Sequence, residues 1–212
     1  MSRLLKGTLI VILLIIINWN FAYVKAISEN KGYLHRLEQQ EAKIAHLEKE
    51  IKRLRLVMDV SDALENYYRG ISPTERKKIA KTIISVSEKY SLQPELILAV
   101  IKTESAFKPY AISNKGACGL MQVLPSTADE IAEELRIKLK DDQLFDPIIN
   151  IILGSYYLNK LADQFGDFEA ALTAYNMGPG RVMNFEQANY PYSREYANEV
   201  LKNYNKIMQD YF

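Results

Sequence analysis

An uncharged run of 18 residues, Gly7–Val24, constrains this chain more than any other feature. Its centre, residues 9–17, contains only Leu, Ile and Val. A helix of about 20 such residues crosses the hydrocarbon layer of a bilayer. A soluble core element rarely extends this far without a polar face. The run therefore predicts a transmembrane signal anchor over residues 1–25, with residues 7–24 in the membrane.

The residues flanking the run predict its orientation. Arg3 and Lys6 favour a cytoplasmic N-terminus, and Trp19 and Tyr23 suit the opposite interface. The rest of the chain then lies on the extracytoplasmic side of the cell membrane, in the periplasm or at the cell wall, held by a single pass. A cleaved signal peptide, ending at Val24-Lys25-Ala26, is the alternative.

Residues 28–66 carry a seven-residue repeat, which predicts a short coiled-coil stem. The two core positions are apolar except at Gln40, and Lys, Arg and Glu fill the other positions, as a coiled coil requires. The core positions are Leu37, Ile44, Ile51 and Met58 on one side and Tyr33, Gln40, Leu47 and Leu54 on the other. We expect a homo-oligomer through this stem. The alternative is a lone amphipathic helix that folds against the following domain.

The composition argues against several classes of function. The chain has 27 Lys and Arg against 26 Asp and Glu, so it has no net charge that would attract nucleic acid. Its single cysteine, Cys118, allows neither an internal disulfide nor a cysteine metal cluster. Both histidines, His35 and His46, lie in the polar stem. We therefore expect no nucleic-acid partner, no metal and no other cofactor.

A new domain, residues 67–212, begins at a helix start signal. Ser72, Pro73 and Glu75 together form a capping box with proline in the first turn. Helical spacing of apolar residues and further start signals predict a mostly α domain of six short helices joined by ordered loops. These helices begin near Pro73, Pro94, Ser126, Pro147, Phe168 and Tyr192.

Glu104 lies on the last turn of the predicted apolar helix that begins at Pro94. It follows Ile101 by three residues and Val100 by four, which places its carboxyl at the edge of the buried face, beside Phe107. Partial burial raises the pKa of a carboxyl and keeps it protonated near neutral pH. Glu104 is therefore a candidate general acid.

Three segments occur in an order that resembles one known family. They are Glu104–Ala128, which contains Gly119-Leu120-Met121-Gln122, then Asp146–Leu158, and then Ala170–Val182 with its Ala-Tyr-Asn-Met-Gly-Pro-Gly loop. Together they resemble the soluble-lytic-transglycosylase family over about residues 85–204. That family consists of murein-cleaving enzymes with a lysozyme-like, goose-type helical fold. The resemblance implies the same fold here.

The resemblance also implies a mechanism with one catalytic carboxylate. Glu104 matches the acid that protonates the oxygen between N-acetylmuramic acid and N-acetylglucosamine. The same residue then takes the proton of the muramoyl 6-hydroxyl, which closes a 1,6-anhydro ring. Neither a metal nor an organic cofactor takes part.

Five further residues match cleft positions of the family. Ser113 and Gln122 match residues that hold sugar and N-acetyl groups, and Tyr175 matches a tyrosine near the scissile bond, accompanied by Asn176. Met121 lines the cleft in the family, although a methionine equally suits packing. One departure is Tyr192, which stands where the family often has a glutamate, so the peptide contact of that glutamate is not expected here.

The sequence thus predicts a membrane-tethered lytic transglycosylase that acts on peptidoglycan strands. A hydrolytic muramidase on the same fold is the nearest alternative, with water in place of the 6-hydroxyl. A murein-binding scaffold subunit of a cell-envelope machine is the alternative without catalysis.

Overall fold

The computed structural model describes residues 2–140 and 142–212, with side chains described from Ile15 onward apart from residue 141. The chain divides into two compact units, Met1–Lys52 and Arg53–Phe212.

The described residues of the first unit lie in helix α1, which extends from Ser2 to Tyr67 and so continues into the second unit. Every side chain described in residues 15–52 is exposed, and those at the predicted coiled-coil positions Leu37, Ile44, Leu47 and Ile51 are apolar. The described residues include no helix that is both long and apolar enough to cross a membrane. Much of the predicted anchor, residues 1–14, lies outside the described side chains.

The second unit contains the end of α1 and seven further helices among its described residues. These are α2 (Pro73–Tyr90), α3 (Pro94–Ser105), α4 (Pro125–Leu135), α5 (Pro147–Phe165), α6 (Phe168–Met177), α7 (Pro179–Gln187) and α8 (Glu195–Tyr211), with a 3-10 turn at Gln143–Phe145. In the described ranges the only β pairing is two isolated bridges, from Cys118 to Ile112 and to Val123. The predicted mostly α fold is confirmed.

Local signals explain where most helices begin. Ser72 accepts a hydrogen bond from the Glu75 amide at 3.2 Å and caps α2 as predicted, and Asp146 caps α5 in the same way. The start of α4 differs from the prediction, because Leu124 is its N-cap and Pro125 its first residue, so Ser126 already lies inside the helix. Proline at the first position has the φ that a helix needs without an N–H to satisfy. Helix α7, which follows Gly178, was not predicted.

Helix α3 forms the centre of the domain. All residues from Leu96 to Ile101 are at most 6% exposed, so the helix has almost no solvent face until its last turn. Helix α8 packs along it, and Asn203 donates a hydrogen bond to the Thr103 hydroxyl at 2.9 Å. The central position of α3 holds its last turn, and Glu104 with it, in the middle of the fold.

The last part of α1, residues 53–67, belongs to the globular unit. Val57, Val60, Ala63 and Leu64 are buried in its core, whereas the predicted seam residues Leu54 and Met58 are 55% and 63% exposed. The buried positions form a separate stripe at helical spacing, which faces the domain. The globular unit thus begins 14 residues before the predicted boundary at residue 67, and it includes residues 53–66 of the predicted stem, while residues 28–52 belong to the first unit.

Replacement of Leu64 by Ala tests this packing. Leu64 is fully buried, so its truncation leaves a cavity and lowers the free energy of unfolding by about 2 to 5 kcal/mol. Leu54→Ala, on the exposed side of the same helix, changes it by about 0.5 kcal/mol or less. Chemical denaturation followed by circular dichroism measures both, and equal effects would contradict the assignment of residues 53–67 to the domain.

Candidate active site

A cleft of about 490 Å³ lies beside the last turn of α3. One wall comes from the loop between α3 and α4 and the start of α4, and the other from α5, the end of α6 and the glycine that follows it. The lining residues are Glu104, Ser113, Asn114, Lys115, Ala117, Gln122, Val123, Leu124, Thr127, Tyr157, Tyr175, Asn176, Met177 and Gly178. Glu104 is the only carboxylate among them.

The environment of Glu104 favours its protonated form. The side chain is half-buried, and this burial is the main cause that raises its pKa to about 7. Glu199 of α8 adds to the rise by its negative charge, while a hydrogen bond from Tyr196 opposes it by stabilising the carboxylate. Desolvation outweighs the hydrogen bond, so Glu104 can hold a proton or release it near neutral pH.

Tyr196 is a site residue that the sequence did not reveal. Its hydroxyl donates to Glu104 Oε1 at 2.6 Å, and burial together with the charge of Glu104 raises the pKa of this phenol well above its usual value. Tyr196 therefore stays a hydrogen-bond donor. It is 92 residues from Glu104 along the chain, and nothing in its spacing distinguishes it from the other apolar-face residues of α8.

The backbone turn after Glu104 contains two residues with positive φ angles and is held by side-chain contacts. Ala106 and Phe107 have positive φ angles of 48° and 61°. Phe107 is 3% exposed, and its ring stacks on Tyr67, at the end of α1, with centroids 5.3 Å apart and planes 5° apart. The Ser105 hydroxyl donates to the carbonyl oxygen of Leu120 at 2.8 Å. These contacts fix the end of α3 against both α1 and the cleft loop.

Ser113 and Gln122 lie in the cleft wall as expected, and each uses part of its polar group to hold the loop. The Ser113 oxygen accepts a hydrogen bond from the Ala117 amide at 3.0 Å, which leaves its own hydrogen to donate. Gln122 donates from Nε2 to the carbonyl oxygens of Ala111 and Gly119, at 3.0 and 2.9 Å. Its Oε1 is therefore the atom that can accept from a ligand.

Tyr175 and Asn176 also line the cleft, on the opposite wall from Ser113. The Tyr175 hydroxyl donates to the Met121 carbonyl oxygen at 2.8 Å, and burial raises the pKa of this phenol well above its usual value. The hydroxyl proton of Tyr175 is thus used in a bond within the protein, so its oxygen can only accept a hydrogen bond from a ligand. Asn176 is exposed at the cleft.

Met121 does not line the cleft. Its side chain is fully buried and packs against Gly154 of α5, where a Cβ would lie 2.7 Å from the methionine Cβ and Sδ. The physical reason is that Gly154 has no side chain, so the apolar Met121 side chain can pack closely against it in the interior. Met121 contributes through its backbone, whose carbonyl positions Tyr175.

Asn150 of α5 fixes the cleft loop from beneath. This fully buried side chain accepts from the Met121 amide at 2.7 Å and donates to the carbonyl oxygens of Cys118 and Leu144, each at 2.9 Å. Gly119, with φ 82°, lies directly above it, and a Cβ there would be 2.3 Å from Asn150 Nδ2. The loop thus requires both the asparagine and the glycine.

Metal-ligating side chains are not grouped in the described ranges. No set of three or more His, Cys, Asp or Glu residues there is placed to hold a metal ion. Cys118 is buried at the base of the cleft loop, and its Sγ–H donates to the Gly116 carbonyl oxygen at 3.3 Å. The chemistry that the cleft residues themselves offer is acid–base chemistry by Glu104.

Comparison with known proteins agrees with this site. The sequence profile of the family "Transglycosylase SLT domain" matches residues 81–198. Membrane-bound lytic murein transglycosylase C of Serratia proteamaculans is 39% identical over 117 residues, which cover 50% of this chain and 33% of that protein. The transglycosylase of Enterobacteria phage PRD1 is 35% identical over 128 residues, 60% of this chain and 43% of that protein.

Solved structures show the same fold. An inactive mutant of lytic transglycosylase Slt from Pseudomonas aeruginosa superposes with a TM-score of 0.55 at 28% identity, over 72% of this chain and 30% of that one. The 70-kDa soluble lytic transglycosylase of Escherichia coli gives 0.51 at 28% identity, over 66% of this chain and 28% of that one. The expected lysozyme-like helical fold of this family is confirmed.

The chain belongs to the transglycosylase SLT domain family. It spans about a third of the length of the first relative named above and less than half of the second. The relationship covers the part of the chain that contains Glu104, both cleft walls and Tyr196.

Replacement of Asn150 by Ala tests the support of the cleft loop. It removes the partner of the Met121 amide and of the Leu144 carbonyl in the interior, while the Cys118 carbonyl keeps its bond from the Val123 amide, so we expect a loss of about 2 to 4 kcal/mol in the free energy of unfolding. Asn159→Ala on the same helix removes only an exposed hydrogen bond to Asp163 and should cost about 0.5 kcal/mol or less. Urea denaturation compares the two, and a small effect of Asn150→Ala would refute the role given to this amide.

Proposed function

We propose that this chain is a peptidoglycan lytic transglycosylase, which cleaves the bond between N-acetylmuramic acid and N-acetylglucosamine without water and leaves 1,6-anhydromuramoyl ends. The observation that carries the proposal is Glu104, the only carboxylate lining the cleft among the residues that the structure describes, with a pKa of about 7. A group with this pKa can act first as an acid and then as a base at neutral pH.

The first step uses the protonated form of Glu104. Because Tyr196 donates to Oε1, the acid proton lies on Oε2, the oxygen left free to face the substrate. Transfer of this proton to the glycosidic oxygen lets the bond to the muramoyl C1 break. The N-acetylglucosamine part leaves with a new 4-hydroxyl, and the muramoyl ring is left with oxocarbenium character.

The second step uses the carboxylate formed in the first. Glu104 takes the proton of the muramoyl 6-hydroxyl as its oxygen bonds to C1, which closes the anhydro ring and restores the acid. Most hydrolytic glycosidases use a second carboxylate, either to activate water or to attack C1. In the described part of the chain, the residues lining this cleft include no such group, which supports the intramolecular route over a hydrolytic muramidase.

The polar groups of the walls suit a glycan. The Ser113 hydrogen can be donated to a sugar or acetyl oxygen, and Gln122 Oε1 can accept from a hydroxyl or an N-acetyl N–H. Asn176 offers both kinds of group from the other wall. Since Tyr196 and Gln122 are already oriented by hydrogen bonds, they need little reorganisation when charge develops.

The N-terminal part of the chain fits a tethered enzyme. We propose that residues 1–25 anchor it in the cell membrane with the domain on the extracytoplasmic side, and that the stem from residue 28 associates with a second copy. The exposed apolar positions Leu37, Ile44, Leu47 and Ile51 support association. Relatives named membrane-bound lytic murein transglycosylase C support the setting.

Product analysis tests the reaction. Muropeptides that the chain releases from purified sacculi should end in anhydro groups, lighter than reducing ends by one water in mass spectrometry. Glu104→Gln should lower turnover by about 10²- to 10⁴-fold, because acid–base catalysis is lost. Glu133→Gln, an exposed residue of α4 outside the cleft, is the matched control and should leave turnover unchanged.

Two results would contradict this assignment. Reducing ends alone would identify a hydrolytic muramidase. An inactive wild-type chain that still binds sacculi would identify the scaffold protein that the sequence left as an alternative.

The pH dependence of kcat/KM tests the environment of Glu104. The free enzyme must hold the acid proton, so activity should fall as pH rises through the pKa of about 7. Tyr196→Phe removes a hydrogen bond that stabilises the carboxylate, which raises this pKa and moves the alkaline limb to higher pH. Glu199→Gln removes a neighbouring negative charge and moves the limb to lower pH. Identical limbs in all three proteins would show that another group controls the profile.

A further inference from the structure

Lys115 provides the permanent charge of the cleft. Among the lining residues only Glu104 and Lys115 can carry a full charge near neutral pH. Glu104 is uncharged below its pKa of about 7, and it must be uncharged to begin the reaction. The enzyme form that binds substrate productively thus has a cleft with one positive charge.

Lys115 forms no ion pair with any residue that the structure describes. Within the parts of the chain that the structure describes, ion pairs occupy Lys160 and Arg194 of the same domain, but no carboxylate lies within 4.0 Å of Lys115 Nζ. Its side chain is exposed at the cleft. The charge is therefore available to a ligand.

Hydrogen bonds close the backbone turn that presents Lys115. Residues 113–117 form a tight turn in which the Ser113 amide donates to the Ala117 carbonyl oxygen and the Gly116 amide to the Ser113 carbonyl oxygen, each at 2.9 Å. The Ser113 side chain closes the same turn. Gly116 has φ 80°, a conformation that favours glycine and holds the turn tight. Lys115 is thus carried at a fixed place in the wall that also contains Ser113.

We propose that Lys115 binds a carboxylate on the 3-O-lactyl substituent of the muramoyl sugar, and so makes the cleft selective for glycan with an acidic substituent over neutral glycan. This inference rests on the proposed function. The muramoyl sugar carries a lactyl group that is either a free acid or joined to a peptide with carboxylates of its own. Both sources offer the same chemistry, a carboxylate within reach of the wall beside the scissile bond.

The expected contribution is to binding and not to the bond-breaking step. Lys115 lies in the wall, and the reacting atoms meet Glu104, so the ion pair is equally strong before and during reaction. Such a uniform contribution changes affinity and leaves kcat unaltered. A solvent-exposed pair contributes little, and we expect a change in Kd of about two- to fivefold, which falls as salt is added.

The test measures binding in the Glu104→Gln background, so that it does not depend on turnover. Isothermal titration calorimetry compares this chain with and without Lys115→Gln. The ligands are soluble glycan strands with peptides, strands stripped of peptides by an amidase, and peptide-bearing strands whose carboxylates have been converted to amides. Lys108→Gln is the matched control, because it removes the same charge from an exposed lysine of the same loop that does not line the cleft.

Lys115→Gln should weaken binding of at least one of the two charged ligands and leave the amidated strands unaffected, and Lys115→Arg should restore the affinity. An effect on peptide-bearing strands assigns the carboxylate to the peptide, and an effect on stripped strands assigns it to the lactyl group. The proposal is overturned if Lys115→Gln changes neither charged ligand, if amidated strands show the same loss, or if Lys108→Gln has an equal effect. Failure of the proposed function is distinct, since it would appear as a wild-type chain that forms no anhydro ends.

Discussion

The side-chain amide of Asn150 connects helix α5 to the loop that builds one wall of the cleft. It bonds to the Met121 amide and to the carbonyl oxygens of Cys118 and Leu144 in the interior of the domain. Groups buried in this way are costly to leave without partners, so the loop has one favourable conformation. Gly119 is required above the amide because any Cβ would overlap it. Tyr175 adds a second link by donating to the Met121 carbonyl oxygen. The bonds of Met121 to Asn150 and to Tyr175 together set the spacing between the walls that carry Gln122 and Asn176.

The position of Glu104 depends on the same cleft loop, which contacts the end of α3 through Leu120. Helix α3 is buried until its last turn, and the turn that follows is held by the Tyr67–Phe107 stack and by the bond from Ser105 to Leu120. The carboxyl therefore sits at the edge of the core, where desolvation raises its pKa more than the bond from Tyr196 lowers it. That balance gives one residue access to both protonation states. Among the described residues that line the cleft, Lys115 is the other charged group.

Sequence reasoning succeeded where the controlling physics is local. Ser72 caps the helix that it was expected to cap, and α5 begins at Pro147 as predicted, because the capping bonds join residues three positions apart. The position of Glu104 on α3 followed from helical periodicity alone. Sequence reasoning failed where contacts join distant segments. Met121 is buried and does not line the cleft, because it packs against Gly154. Residues 53–66 belong to the domain because a second apolar stripe on this helix packs into the core. Tyr196 could not be identified by spacing, since only the packing of α8 against α3 brings its hydroxyl to Glu104.

The sequence by itself determined the helical class, most helix starts and the position of Glu104 at the end of an apolar helix, since periodicity and capping act over a few residues. The polar residues near Glu104 were expected from the family resemblance. The sequence also showed the apolar run and the heptad repeat that underlie the proposed anchor and stem. Tertiary structure alone decided which atoms of those polar residues remain free for a ligand, because hydrogen bonds to distant backbone groups occupy Gln122 Nε2 and the Tyr175 proton. It also decided the pKa of Glu104 and the exposure of Lys115 at the cleft. Both properties depend on burial, and burial is set by the packing of segments that are far apart in the chain.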